Sequence, residues 1–228
     1  MPANAKQRFM AQAFFITGTD TEIGKTHATC ALLAAANSQG MRAVALKPVA
    51  AGIDATGRND DVVRLMAASN VALPERTVNP WLLEEPLSPH IAARLAGVEI
   101  SIEPITQSFS DAQAVADLVL VEGVGGLYAP LSETLTQPDL IKALNLPVIL
   151  VVGLRLGCLN HALLTADAIA RHGLRLAGWI GNCIDPAFQA LEDNLRTLEA
   201  RLKAPCLGLL PYATTADTVL ASRLSLPQ

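Results

Sequence analysis

Hydrophobic positions along this chain follow two alternating rhythms. Short, mostly apolar runs recur at residues 13–16, 41–46, 117–121, 147–152, 176–180 and 205–210. Runs of that length, bounded by turn residues, predict strands buried on both faces of a parallel sheet. Between them the spacing becomes helical: Ala28, Cys30, Ala31, Leu32, Leu33 and Ala35 fall at helical intervals within residues 25–38, and Gly40 follows as a stop. Further helices are expected over residues 60–68, from Ser88 and Pro89 to about Gly97, from the Thr136 and Asp139 capping box, from Leu156 and Gly157 to Arg171, and over residues 187–202. The alternation continues with no linker-like composition. It predicts an α/β chain, a single domain over residues 13–228 whose mainly parallel sheet is flanked by helices, with residues 1–12 as a loose extension. Residues 74–97 break the pattern. They are Pro-rich, include Asn79-Pro80-Trp81 and Leu87-Ser88-Pro89-His90, and read as a long irregular segment of the kind that shapes a substrate pocket.

Composition narrows the field. With 228 residues, 51% hydrophobic and 17% charged, the chain has the material for one large core and is not a disordered protein. A net charge of −4 carries no basic footprint, which argues against nucleic acid and anionic membrane as partners. No apolar run approaches the roughly 20 residues of a membrane helix. Cys30, Cys158, Cys183 and Cys206 are scattered singly and read as reduced thiols in a cytoplasmic protein. Lys6 and Arg8 before an apolar stretch faintly imitate a signal peptide, but that stretch is short and continues into the first loop.

The candidate chemistry begins in that loop. Gly18-Thr19-Asp20-Thr21-Glu22-Ile23-Gly24-Lys25-Thr26 joins the first strand to the first helix, the layout of a phosphate-binding P-loop. Backbone N–H groups there and at the helix N-terminus favour an anion, Lys25 adds a mobile charge, and the Thr26 hydroxyl suits a Mg²⁺ ion. Five residues separate Gly18 from Gly24, where the common motif has four. Lys47, before Pro48, closes the second strand at the carboxyl edge, where open α/β sheets place their sites, although a solvated lysine ending a strand fits position alone equally well. Asp60 and Asp61 open a helix and offer either metal ligands or complements to its dipole. The run to Val121 delivers Glu122, an acid placed to reach Mg²⁺, and Gly123-Val124-Gly125-Gly126 follow without dinucleotide-fingerprint spacing. Gly157 opens a helix whose free N–H groups suit a carboxylate or phosphate, although an ordinary strand-to-helix turn fits equally well. His90 reads as a packed or surface histidine.

With these residues in place, the chain resembles the dethiobiotin synthetase family, biotin-pathway enzymes that close a cyclic urea. The resemblance rests on Thr17 through the P-loop, on Lys47-Pro48-Val49, on Val121-Glu122-Gly123-Val124-Gly125-Gly126 and on Val152-Gly153-Leu154-Arg155-Leu156-Gly157-Cys158-Leu159-Asn160-His161. The stretched P-loop is itself this family's form. The resemblance implies a P-loop NTPase-like fold and conversion of 7,8-diaminononanoate, CO₂ and MgATP to dethiobiotin, ADP and phosphate. It implies that Lys25 and Lys47 hold the carbamate and the transferring phosphoryl, and that Thr26, Asp61 and Glu122 hold Mg²⁺. Glu22, Ile23, Gly24, Lys25, Thr26 and His27 would cradle the phosphates, with Asp61, Glu122, Gly123, Val124 and Gly125 completing that end. Asn182 and Cys183 would meet the base, lined by Pro211, Tyr212 and Ala213. Thr21, Lys47 and Ala51 would contact the diamine, whose carboxylate is received by Gly157, Cys158, Leu159 and Asn160 of a second subunit in a homodimer. The family usually has Ser where this chain has Ala51.

Two relatives of the fold are set aside on residues. Partition and septum-placement ATPases carry a further lysine early in the loop, where this chain reads Thr19-Asp20-Thr21-Glu22, and the cobalamin-pathway amidotransferase needs a glutaminase domain for which there is no room. A pure binding module is the harder alternative to set aside, because Ala51 lacks the usual hydroxyl; the joint presence of Lys25, Lys47, Asp61 and Glu122 argues against it.

Overall fold

The apolar runs become strands because they can be buried on both sides at once. In the computed structural model, which describes residues 11–212 and 222–227, a parallel sheet of six strands forms from β1 (Gln12–Gly18), β2 (Ala43–Leu46), β5 (Leu118–Gly126), β6 (Val148–Leu154), β7 (Leu176–Cys183) and β8 (Cys206–Leu210), in the order β2-β5-β1-β6-β7-β8. Every residue of β6 is buried. Alternate side chains serve opposite faces: Phe14, Ile16, Ile149 and Val151 pack towards α1 (Lys25–Ser38), whereas Phe15, Val121 and Val148 meet Ile105, Phe109 and Ile141 of α5 (Glu103–Val115) and α6 (Gln137–Leu144). Leu150, Val152 and Trp179 form a third cluster with Leu195 and Leu198 of α8 (Leu191–Arg201). Each such side chain contributes about 1.5–3 kcal/mol on burial.

Several expectations need correction. The first strand begins at Gln12, inside the stretch expected to be loose, while the second begins at Ala43 rather than at residue 41. β5 continues beyond the expected apolar run, through Gly123 to Gly126. The last helix starts at Leu191 rather than residue 187, because the Asp185 carboxylate accepts the Ala187 amide at 2.9 Å and its carbonyl accepts that of Phe188, a local turn that competes with helix. Residues 74–97 are more regular than expected, although residues 84–88 stay outside any helix or strand. A second, two-stranded parallel sheet pairs β3 (Val49–Ala51) with β4 (Trp81–Leu83), flanked by α3 (Glu75–Val78) and α4 (Pro89–Ala96). Ser88 occupies the N-cap of α4 without a side-chain bond, whereas Asn59 caps α2 (Asp60–Ala68) by accepting the Val62 amide.

The edge at β2 is closed to further pairing. Asn70 Oδ1 accepts the Ala43 amide at 2.7 Å, Ser69 Oγ accepts that of Ala45 at 3.1 Å, and Asn70 Nδ2 donates to the Met41 carbonyl, so the edge presents few free groups to another strand. The chain reaches β2 and β5 on one side of β1 and β6 to β8 on the other. The loop after β1 therefore sits at the switch point of the sheet, outside its carboxyl edge.

Candidate active site

At the end of β1 the chain turns sharply into α1. Gly24 has φ +84°, and a Cβ there would lie 2.2 Å from Asn182 Nδ2, so both backbone conformation and space demand glycine. Glu22 also lies in the left-handed region, at φ 57°, a costly conformation for a non-glycine residue of a kind that clusters at ligand-binding loops. Asn182, buried in β7, donates from Nδ2 to the Ile23 carbonyl at 2.8 Å and ties the loop to the sheet.

Four charged groups from separate elements meet beside this loop. Lys25 Nζ donates to the Asp20 carbonyl at 3.1 Å. Burial, reinforced by the charge of Lys47, lowers its pKa to about 8 against the pull of Glu122, Asp61 and Asp20. Lys47 is 3% exposed, which excludes the solvated-lysine reading. Its three protons have three acceptors: Glu122 Oε1 at 2.7 Å, Asp61 Oδ2 at 3.1 Å and the Gly123 carbonyl at 3.2 Å. Burial opposes the Lys47 charge, but Glu122 and Asp61 outweigh it and its pKa is raised. Burial likewise pushes the Asp61 carboxyl up, and Lys47, Thr26 and Lys25 together overcome it, so its pKa is lowered. Asp60 is exposed, so Asp61 is the acid of this site.

The Thr26 hydroxyl lies 2.7 Å from Asp61 Oδ1 and 2.8 Å from Glu122 Oε1. It has one proton for two carboxylates. Two acids and a hydroxyl, all hard oxygen donors, suit Mg²⁺, which binds few protein groups and keeps phosphate and water for the rest of its shell. Among the described residues, no group of three or more His, Cys, Asp or Glu could hold a metal.

A cleft of about 710 Å³ opens over these groups. Thr21, Glu22, Gly24, Lys25, Thr26, His27, Lys47, Ala51, Asp61, Val124 and Gly125 line it, as do Pro86 to Pro89 from the segment expected to form a pocket. Ile23 faces the core instead, and Glu122 is wholly buried beneath Thr26 and Lys47. Gly157, Cys158, Leu159 and Asn160 do not line this cleft. Gly157 is the N-cap of α7 (Cys158–Arg171), Cys158 is buried and Asn160 is exposed. Cys183 packs against the third apolar cluster, where burial pushes its thiol up. Pro211 is half-buried, Tyr212 is exposed, and Ala213 lies outside the described residues. Sequence reasoning missed Thr29. This fully buried residue places Oγ1 2.7 Å from Glu122 Oε2 and 2.9 Å from the Lys25 carbonyl. A polar residue one helical turn beyond Thr26, on an otherwise apolar face, was the available signal.

A family model described as "AAA domain" matches residues 12–218. The "ATP-dependent dethiobiotin synthetase BioD" of Ralstonia nicotianae is 54% identical over 211 residues, 91% of this chain and 92% of that protein. The protein of the same name from Xanthomonas oryzae pv. oryzae is 51% identical over 220 residues, covering 95% and 98%. The chain belongs to the dethiobiotin synthetase family. Two solved structures share the P-loop NTPase fold at low identity. The MinC:MinD cell division complex of Aquifex aeolicus has TM-score 0.55 at 17% identity, covering 88% of this chain and 81% of that one. A ParA family ATPase of Chlorobium tepidum has TM-score 0.55 at 15%, covering 92% and 89%. In this dethiobiotin synthetase family member, Ala51 ends β3 on the wall of the cleft. Its carbonyl lies 3.5 Å from Asn59 Nδ2, which donates at 2.8 Å to the Gly52 carbonyl.

Proposed function

We propose that this chain uses MgATP to join CO₂ to 7,8-diaminononanoate and close the ring of dethiobiotin, releasing ADP and phosphate. The observation that carries the reading is the burial of Lys47 against Glu122 and Asp61 beside the P-loop. A neutral amine of the substrate adds to CO₂ and loses a proton, giving a carbamate. A carbamate oxygen takes the γ-phosphoryl group, and the second amine attacks the carbonyl carbon and expels phosphate. Each step builds or moves negative charge, so positioning and electrostatic stabilisation carry most of the catalysis.

The residues divide this work. The main chain of residues 22–27 and Lys25 bind the phosphates, and Lys47 holds the carbamate oxygen and the phosphoryl group that reaches it. Thr26, Asp61 and Glu122 would hold Mg²⁺, which when bound neutralises charge on the phosphates. Asn182 and residues 211–213 bind the base. Thr21 and the backbone around Ala51 orient the diamine. Its carboxylate is received by residues 157–160 of a second copy of the chain. Support for that sharing comes from residues 157–160 not lining the cleft of their own chain and from two leucines bared on this helix and its lead-in, Leu156 at 90% and Leu164 at 61% exposed.

The reading extends to a single domain over residues 13–228, supported by one sheet that draws strands from Gln12 to Leu210. It includes a cytoplasmic location, supported by four cysteines outside any disulfide. No helix among the described residues is long and apolar enough to cross a membrane. The test is incubation of the pure protein with the diamine, bicarbonate and MgATP, with mass spectrometry for dethiobiotin. Formation of the ring supports the reading. Unchanged diamine, with the protein folded and ATP bound, overturns it.

A further inference from the structure

β5 loses its neighbour at the point where it enters the site. The last pair between β2 and β5 is Leu46 with Val121. On the other side, β1 stays in register to Glu122 and then jumps to Gly126. Beyond that last pair the half-buried amide and carbonyl of Val124 have no strand beside them and need hydrogen bonds elsewhere.

A single side chain supplies them. Gln137 is fully buried. Its Oε1 accepts the Val124 amide at 3.1 Å, and its two Nε2 protons serve the carbonyls of Val124 at 2.8 Å and Gly126 at 2.5 Å. The amide thus acts as a surrogate strand, using every proton it has. Its own place is determined by the capping box of α6, in which Thr136 and Asp139 bond each other across the first turn and leave Gln137 as the first helical residue. Gly123 is required by the same contact: a Cβ there would lie 2.1 Å from Gln137 Oε1 and 2.9 Å from Phe15 Cε1. The gap beside Gly123, bounded by Pro48, Val49, Gln137 and Leu140, is about 10 Å³, scarcely room for one water. Residues 123–126 cannot slide without breaking this packing.

What the clamp holds is the wall of the active site. The Gly123 carbonyl takes the third proton of Lys47, while Val124 and Gly125 line the cleft. Gly125 faces Thr21 closely enough that a Cβ would lie 3.4 Å from its hydroxyl. We propose that Gln137 is a positioning residue for the ring-closing reaction, holding residues 123–126 so that the Gly123 carbonyl orients Lys47 and the cleft wall keeps its shape. The assignment rests on the proposed function for its chemistry, while the clamp itself is independent of it.

Two variants of the full-length protein test the proposal, Gln137→Met with similar bulk and no hydrogen bonds, and Gln137→Glu with the acceptor kept and both donors lost. Hydrogen exchange should quicken at the Val124 amide by about tenfold or more in Gln137→Met, with β1 and β6 protected as before, and much less in Gln137→Glu. Both variants should lose about tenfold or more in kcat for dethiobiotin formation, with KM for ATP within about threefold of the parent. A folded Gln137→Met protein with parental kcat, an unchanged Val124 exchange rate, or failure of both variants to fold would each overturn the positioning role. If the parent makes no dethiobiotin, the functional reading falls, and the exchange data still judge the clamp.

Discussion

The phosphate-loop region and the far end proposed for the site, at the start of α7 and after β8, are built differently. Around the P-loop, Lys25, Lys47 and Glu122 are 7%, 3% and 0% exposed, and five side chains from α1, α2, β5 and the link after β2 interlock through hydrogen bonds. At the start of α7, Asn160 is exposed and Leu156 is bared, and Tyr212 after β8 is 53% exposed. The difference follows the chemistry. Groups that stabilise charge in a transferring phosphoryl must be oriented in advance within a low-dielectric site. Groups that recognise the ends of a substrate can be completed by the ligand or by a second chain.

The contrast is sharpest at Lys47. Lys47→Ala should lower kcat by about a thousandfold while ATP affinity measured by calorimetry changes little, because electrostatic stabilisers are typically worth two to three decades. The same change leaves Glu122 buried without its ion-pair partner and should cost about 3–5 kcal/mol in a denaturant titration. Parental turnover would remove Lys47 from the chemistry. Next in size, Glu122→Gln should raise the Mg²⁺ concentration for half-maximal rate by about tenfold or more. An unchanged metal titration would separate Glu122 from the cation.

The far end calls for mixed dimers. Lys47→Ala and Asn160→Ala proteins, each inactive alone, should regain about a quarter of parental activity when refolded together, since each heterodimer rebuilds one intact site. Failure of the mixture to exceed its components would make each site self-contained.

The smallest effect concerns Lys25. Its pKa is about 8 in the folded chain against an ordinary 10.5. Between those values the unfolded chain holds a proton that the folded one has lost. Stability of the nucleotide-free protein should therefore rise with pH across that window, by up to about 3 kcal/mol. ATP should restore the proton, giving uptake near pH 9 that calorimetry in buffers of different ionisation heat would register. Binding without proton uptake would contradict the assignment.

Much of this was legible in the sequence, for reasons that differ by region. α1 and α2 run over the residues expected, because the P-loop ends at Gly24 and the Asn59-Asp60-Asp61 run marks a helix start. The Thr136 and Asp139 capping box is also as expected. β3 and β4 escaped because strands of three residues carry no readable period. α5 escaped although Ile105, Phe109 and Ala112 repeat at helical intervals on its buried face. In the site, Lys47 was readable as a position and not as a buried charge. Thr29 and Gln137 act through contacts with residues about 90 and 13 positions away, and their residue types alone do not announce that.

The most direct measurement is phosphate release from MgATP with bicarbonate, with and without 7,8-diaminononanoate, alongside the yield of dethiobiotin. If the buried phosphate end serves ring closure, release will depend on the diamine and match dethiobiotin one for one. Release at the same rate without the diamine would contradict that account and leave the chain a simple ATPase.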